Sequence, residues 1–103
     1  AHGLGQVLWE NLIYDNDSGQ LLTGSWMDYC MPRADDFPDI EHSTLNIPSP
    51  QNYLGVKGVG ELGSIGAPAA AVNAITDALG DKAPLGRLTL PLASESLWRL
   101  LQD

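Results

Sequence analysis

The stretch LGVKGVGELGSIGAPAAAVNAITDAL, residues 54–79, decides most of how this chain must be organised. Its second half is rich in alanine. Ile65, Ala69, Val72, Ile75 and Leu79 recur at a spacing that lays them along one helical face. Pro68 falls in the first turn or so, where a missing N–H costs little. Gly80 follows in the position that most often ends a helix. The spacing predicts a helix from Ser64 to Leu79. The first half of the stretch carries glycines at 55, 58, 60, 63 and 66, which predict an irregular loop running straight into that helix.

Outward from this stretch the pattern becomes mixed. Leu4, Val7, Leu8, Leu12 and Ile13, with Trp9 alongside, have one-sided helical spacing and predict a helix from Leu4 to Tyr14. Asp15-Asn16-Asp17-Ser18-Gly19 stops it with turn chemistry. Gln20 to Thr23 reads as a short strand that Trp26 to Tyr29 continues. Met31 to Pro38 and Pro48 to Tyr53 read as loops. Ile40 to Ile47 alternates and reads as a strand. Leu88 to Leu92 reads as extended. Ser94 caps a last helix, Glu95 to Leu101, with Leu97, Trp98 and Leu101 inward. The resulting expectation is an α+β fold, with helices packed on a small mixed sheet. So few strands need a larger sheet to bury them, which implies a remainder beyond this chain.

The chain has 103 residues, 44% of them hydrophobic, with 13 acidic and 5 basic side chains and a formal charge of −8. That length suits a single domain piece, residues 1–103. Eight acids and one base lie between Glu10 and Glu41, which marks that part as the acidic, solvent-facing part. A surface of this sign repels phosphate backbones, so nucleic acid and anionic membrane are poor partners. No apolar run approaches the roughly 20 residues of a membrane span. The single cysteine, Cys30, excludes an internal disulfide and a Cys-rich metal site within the chain, and points to a reducing, cytoplasmic compartment. The start, Ala-His-Gly-Leu-Gly, reads like a chain entered partway along.

Several motifs could carry chemistry. Asp15-x-Asp17-x-Gly19 opens like a calcium loop, but the twelfth position, where a bidentate Glu is needed, is Trp26. Asn16-Asp17-Ser18 is a formal glycosylation sequon that matters only in a secreted chain. Gly58-x-Gly60-x-x-Gly63 matches a dinucleotide fingerprint, yet no continuous apolar strand precedes it and Asp81 follows a helix instead of a strand. His2 has no second His three or four positions away and reads as a surface or packing residue. Cys30 has no base near it in sequence and reads as a small buried hydrophobe. Nothing in the chain reads as a metal ligand set.

The same glycine loop has a second reading. Glycines let backbone N–H groups approach a ligand closely, and the start of the following helix favours negative charge. Glu61, held there, is either a tuned general base or a plain complement to the helix dipole.

The run through residues 54–79 resembles the C-terminal signature of the molybdenum hydroxylases, the family of xanthine dehydrogenase, aldehyde oxidase and aerobic carbon monoxide dehydrogenase. The resemblance continues in Tyr14-Asp15, Gly19-Gln20-Leu21-Leu22, Asp28-Tyr29, Met31-Pro32-Arg33-Ala34-Asp35-Asp36, Leu90-Pro91-Leu92 and Trp98-Arg99, so it covers nearly the whole chain. It departs at His2, where relatives usually carry Gln, and at Leu62, where many carry Pro. The resemblance implies that the chain is the C-terminal segment of a catalytic molybdenum subunit, inactive alone. It implies a molybdenum–pterin cofactor, molybdopterin or its cytosine dinucleotide, lined by Lys57, Gly58, Val59 and Gly60. It implies Glu61 as active-site base for hydroxylation at a molybdenum-bound oxygen. The implied partners are the remainder of the molybdenum subunit, an iron–sulfur subunit and an FAD subunit, which carry the iron–sulfur clusters and FAD. The other readings of the residues are a catalytically inert fragment and a small acidic binding module without redox activity.

Overall fold

The computed structural model describes residues 1–82 and 85–102. Three α-helices form: α1, His2–Leu8; α2, Leu62–Leu79; and α3, Ser94–Leu100. Short 3-10 turns lie at Ala34–Asp36, Gly80–Lys82 and Leu85–Arg87. Among the described residues there is no sheet, only one antiparallel bridge between Tyr14 and Leu21. The expected α+β fold with a small mixed sheet is therefore wrong: the described chain is helices joined by irregular backbone.

Each correction has a local cause. The helix expected to run to Tyr14 stops at Leu8, where Trp9 leaves helical dihedrals (φ −132°). Beyond it the backbone pairs with the far side of the Asp15–Gly19 turn instead. Leu22 N–H donates to the Ile13 carbonyl (2.8 Å), Asp15 N–H to the Gln20 carbonyl (2.8 Å), and Ile13 N–H to Thr23 Oγ1 (3.0 Å). Asp15 builds the turn: its Oδ1 accepts from the Ser18 hydroxyl (2.7 Å) and amide (2.8 Å), and Gly19 closes it at φ 70°. Trp26 to Tyr29 is a single tight turn on the Ser25 carbonyl, not a strand. Residues 40–47 alternate without any described partner to pair with, and Ile40, Leu45 and Ile47 are exposed.

The Ser18 hydrogen bonds hold the Asp15 carboxyl below the ordinary carboxylate value. A lowered folded pKa means that its stabilising effect is present above that ordinary value and is lost as pH falls through the folded one. Asp15→Ala is expected to raise amide exchange at Leu22 and Asp15 roughly tenfold, the consequence of losing two or three local hydrogen bonds. Acidification of the parent should reproduce the effect, and unchanged exchange would show that the turn holds without this carboxylate.

Helix α2 matches its reading best. It starts two residues early and ends at Gly80 (φ 58°), whose N–H reaches the Thr76 carbonyl. Its half-buried face is Ser64, Ala67, Pro68, Ala71, Val72, Ile75, Thr76 and Leu79. Ile65 and Ala69, expected on that face, are exposed. Helix α1 packs across this face. The close approach needs Gly3: a Cβ there would stand 2.5 Å from the Gly63 carbonyl oxygen and 2.9 Å from Ala67 Cβ. In α3, Leu97 and Leu100 are half-buried but Trp98 is exposed, against expectation, and an Arg99–Glu95 pair (2.6 Å) lies on its outer side.

Among the described residues the buried apolar side chains are Val7 and Leu92, linked by the Leu92 N–H on the Val7 carbonyl. Cys30, read as buried, is exposed. The accessible surface is 8540 Å², against about 5,600 Å² for a self-contained globule of 11.0 kDa. The radius of gyration, 17.7 Å, exceeds the roughly 13 Å of a compact domain of this length. Two measures thus agree that this polypeptide does not close a core on its own. No helix among the described residues is long and apolar enough to cross a membrane.

Candidate functional site

The loop ahead of α2 is delivered by a small closed turn. Ser49 N–H donates to the Gly55 carbonyl (2.9 Å), and Gly55 N–H to the Asn52 carbonyl. The Asn52 side chain clamps Val56 twice, donating to its carbonyl (2.8 Å) and accepting from its N–H (3.0 Å). Gly55 sits at φ 67°, a conformation that a side chain would strain. Sequence reasoning missed Asn52 as the anchor. The signal was present as an Asn three residues before a Gly, a common turn arrangement.

From that anchor the chain runs through Lys57, Gly58, Val59 and Gly60 to Glu61, all exposed. None of the amide N–H groups from 57 to 61 donates to a described residue. Glycines 58, 60 and 63 have open space where a Cβ would stand. Glu61 is the N-cap residue of α2, with φ −92° and ψ −12°, and its carboxylate makes no capping hydrogen bond. The side chain is therefore not engaged with the helix amides, though its charge still stands at the positive end of the helix dipole. The helix begins on the Leu62 N–H to Val59 carbonyl and Ser64 N–H to Glu61 carbonyl bonds.

Two hollows meet at this loop. One, about 350 Å³, is bounded by Gly58, Gly60, Glu61, Leu62 and Ile65. The other, about 480 Å³, lies on Lys57, Gly58, Val59 and Leu62, with Leu45, Ile47 and Leu54 opposite. The five residues singled out from the sequence are consecutive and divide between the two hollows, Gly60 and Glu61 on the first, Lys57 and Val59 on the second and Gly58 on both, with Leu62 on both and Ile65 on the first. A third hollow of about 360 Å³, between 87–92 and α3, contains none of them. Calcium-like Asp15 and Asp17 lie in the hairpin turn, apart from the loop. No group of three His, Cys, Asp or Glu among the described residues is placed to hold a metal.

What such a loop can hold follows from its donors. A row of unengaged amides with no side chains at alternate positions suits a flat group edged with phosphate or carbonyl oxygens. A pterin carrying phosphate fits that description. Lys57, which makes no ion pair with the described residues, adds a positive charge at the entrance.

The chain is similar to molybdopterin-binding proteins over its length. A family profile described as Molybdopterin cofactor-binding domain matches residues 1–38. The chain is 43% identical over 101 residues to the nicotine 6-hydroxylase large subunit of Paenarthrobacter nicotinovorans, covering 96% of this chain and 12% of the relative. It is 40% identical over 103 residues to the 6-hydroxypseudooxynicotine dehydrogenase complex subunit gamma of the same organism, covering 99% and 13%. The crystal structure of quinoline 2-oxidoreductase from Pseudomonas putida 86 superposes on the whole chain with a TM-score of 0.86 and 44% identity, over 13% of that protein. The chain belongs to the molybdenum hydroxylase family, that of xanthine dehydrogenase, aldehyde oxidase and carbon monoxide dehydrogenase. It spans about one eighth of the length of the curated relatives that it matches.

Proposed function

We propose that this chain is the C-terminal part of the catalytic subunit of a molybdenum-dependent hydroxylase or dehydrogenase, with Glu61 as its active-site base. The observation that carries this reading is a carboxylate at the mouth of α2 that caps nothing and shares a hollow with an amide-lined glycine loop. The amides of Lys57, Gly58, Val59 and Gly60 hold the molybdenum–pterin cofactor, molybdopterin or its cytosine dinucleotide. The bound cofactor supplies Lewis acidity and an electron sink that no side chain provides.

The chain's own residues do the rest. Glu61 accepts a proton at a carboxylate oxygen, which converts a neutral oxygen nucleophile into a reactive one. Gly58 and Gly60 leave room for the approach. The 49–56 turn fixes the loop, and α2 fixes the carboxylate at its N-cap residue, so the base and the cradle are held in one register. The remainder of the molybdenum subunit completes the site, and iron–sulfur and FAD subunits carry electrons away. The chain is inactive alone, and the assembly works in the cytoplasm, in keeping with one unpaired cysteine. The relatives named for nicotine and quinoline favour a nitrogen-containing aromatic ring as substrate.

Metal analysis and mass spectrometry of the native assembly test the reading first. Molybdenum, iron and a pterin are expected together with this chain, and a metal-free monomer would refute it. Gly60→Val is the sharper experiment. Gly60 is not at positive φ and a Cβ there meets no described atom, so the chain tolerates valine. Molybdenum content is nevertheless expected to fall severalfold, because the side chain occupies space that the cofactor uses. Full loading would remove Gly60 from the cradle.

A further inference from the structure

Among the described residues Glu61 shares its hollow with no other polar side chain. Gly58 and Gly60 contribute none, so the walls beside the carboxylate are the side chains of Leu62 and Ile65. Helix geometry produces this arrangement. Ile65 stands one turn after Glu61 on the same face, and Leu62 flanks it. Both are turned away from the face that packs on α1: Leu62 is 64% exposed and Ile65 67%, while Ala67, Pro68, Ala71 and Val72 are half-buried. Two large aliphatic side chains that add little to the packing of α2 therefore border the one carboxylate of the site.

We infer that Leu62 and Ile65 form a selectivity wall beside Glu61 that favours an uncharged aromatic ring over a ring edged with carbonyl and N–H groups. This inference rests on the reading of Glu61 as the base and deepens it by assigning the residues that choose the substrate. A bare ring laid against two aliphatic side chains removes apolar surface from water on both sides of the contact. A ring with polar edges in the same place leaves donors and acceptors facing methyl groups, and an unpaired buried polar group is costly. Discrimination by an apolar wall of this kind is modest, about 10–100-fold, comparable to that from a change of size.

The test uses the assembled enzyme and two probes of similar size, quinoline and hypoxanthine. Dissociation constants are measured by calorimetry in the Glu61→Gln background, where turnover does not interfere, with and without Leu62→Ala and Ile65→Thr. Both substitutions lie at exposed helix positions. The double variant is expected to weaken quinoline roughly tenfold or more, to leave hypoxanthine nearly unchanged, and to retain parental molybdenum content. The ratio of kcat/KM for the two compounds should shift equally with Glu61 intact. An unchanged affinity ratio would overturn the inference. So would parallel weakening of both probes with loss of molybdenum, since the two side chains would then hold the surrounding protein. If Glu61→Gln itself turns over normally, the reading of the base fails, an outcome distinct from either.

Discussion

Replacing Glu61 by Gln in the assembled enzyme is expected to leave molybdenum content at the parental level and to cut turnover by about 10² or more, the usual scale for a positioned acid–base group. The substitution is well suited to separate chemistry from structure. Glutamine has the same reach, and the glutamate side chain makes no hydrogen bond or ion pair with the described residues whose loss would loosen the loop. The dihedrals at position 61 are right-handed helical and suit either residue. Removing the negative charge at the start of α2 costs at most the modest dipole contribution of an exposed group. Folding, cofactor loading and binding of substrate should therefore survive, and the loss should fall on kcat more than on KM. Metal analysis beside steady-state kinetics checks this. Turnover within a few-fold of the parent would take Glu61 out of the mechanism and leave it as a helix-dipole complement. A drop that tracks molybdenum content would assign it to the cofactor cradle instead.

The loop and the helix that follows it were more legible in the sequence than the rest of the fold, for a physical reason. The loop and the start of α2 are local: glycines, a carboxylate and an alanine-rich run are contiguous, and no distant partner is needed to decide what they form. Gly80 ends α2 because a residue at φ 58° is favourable only for glycine, and that too is local. The failures came where distant backbone competes. Leu12 and Ile13 continue the helical spacing of Leu4, Val7 and Leu8, yet Ile13 is claimed by Leu22 and Thr23 across the Asp15 turn. Residues 40–47 alternate as a strand should, but alternation describes only the faces of a segment and says nothing of a partner for its backbone. The inward face of α2 was misassigned at Ile65 for a related reason. The periodicity allowed several adjacent faces, and α1, through Gly3, selected the one that begins at Ser64 and Ala67.

Gly3→Val is expected to be the most damaging substitution for the structure. Gly3 is buried, and a Cβ built on it lies 2.5 Å from the Gly63 carbonyl oxygen, 2.9 Å from Ala67 Cβ and 3.0 Å from Pro68 Cδ. The first of these atoms is backbone and the last belongs to a rigid ring, so no flexible side chain can swing aside. The helices must separate. Overpacking of this kind costs about 1–3 kcal/mol, and valine stands toward the upper end because its two methyl groups extend further into α2. By the 1.4 kcal/mol per tenfold conversion, 2–3 kcal/mol corresponds to roughly 30–150-fold faster amide exchange through the first turns of α2. Gly63 is two residues from Glu61, so the displaced helix start carries the carboxylate with it, and turnover should fall together with protection. Gly66→Ala is the matched control. Gly66 is exposed, a Cβ there meets no described atom, and alanine in a helix interior is better than glycine by about 0.5–1 kcal/mol. Exchange in α2 should slow in that variant and quicken in Gly3→Val. Equal exchange in the two would mean that the α1–α2 crossing does not hold the start of α2 in place.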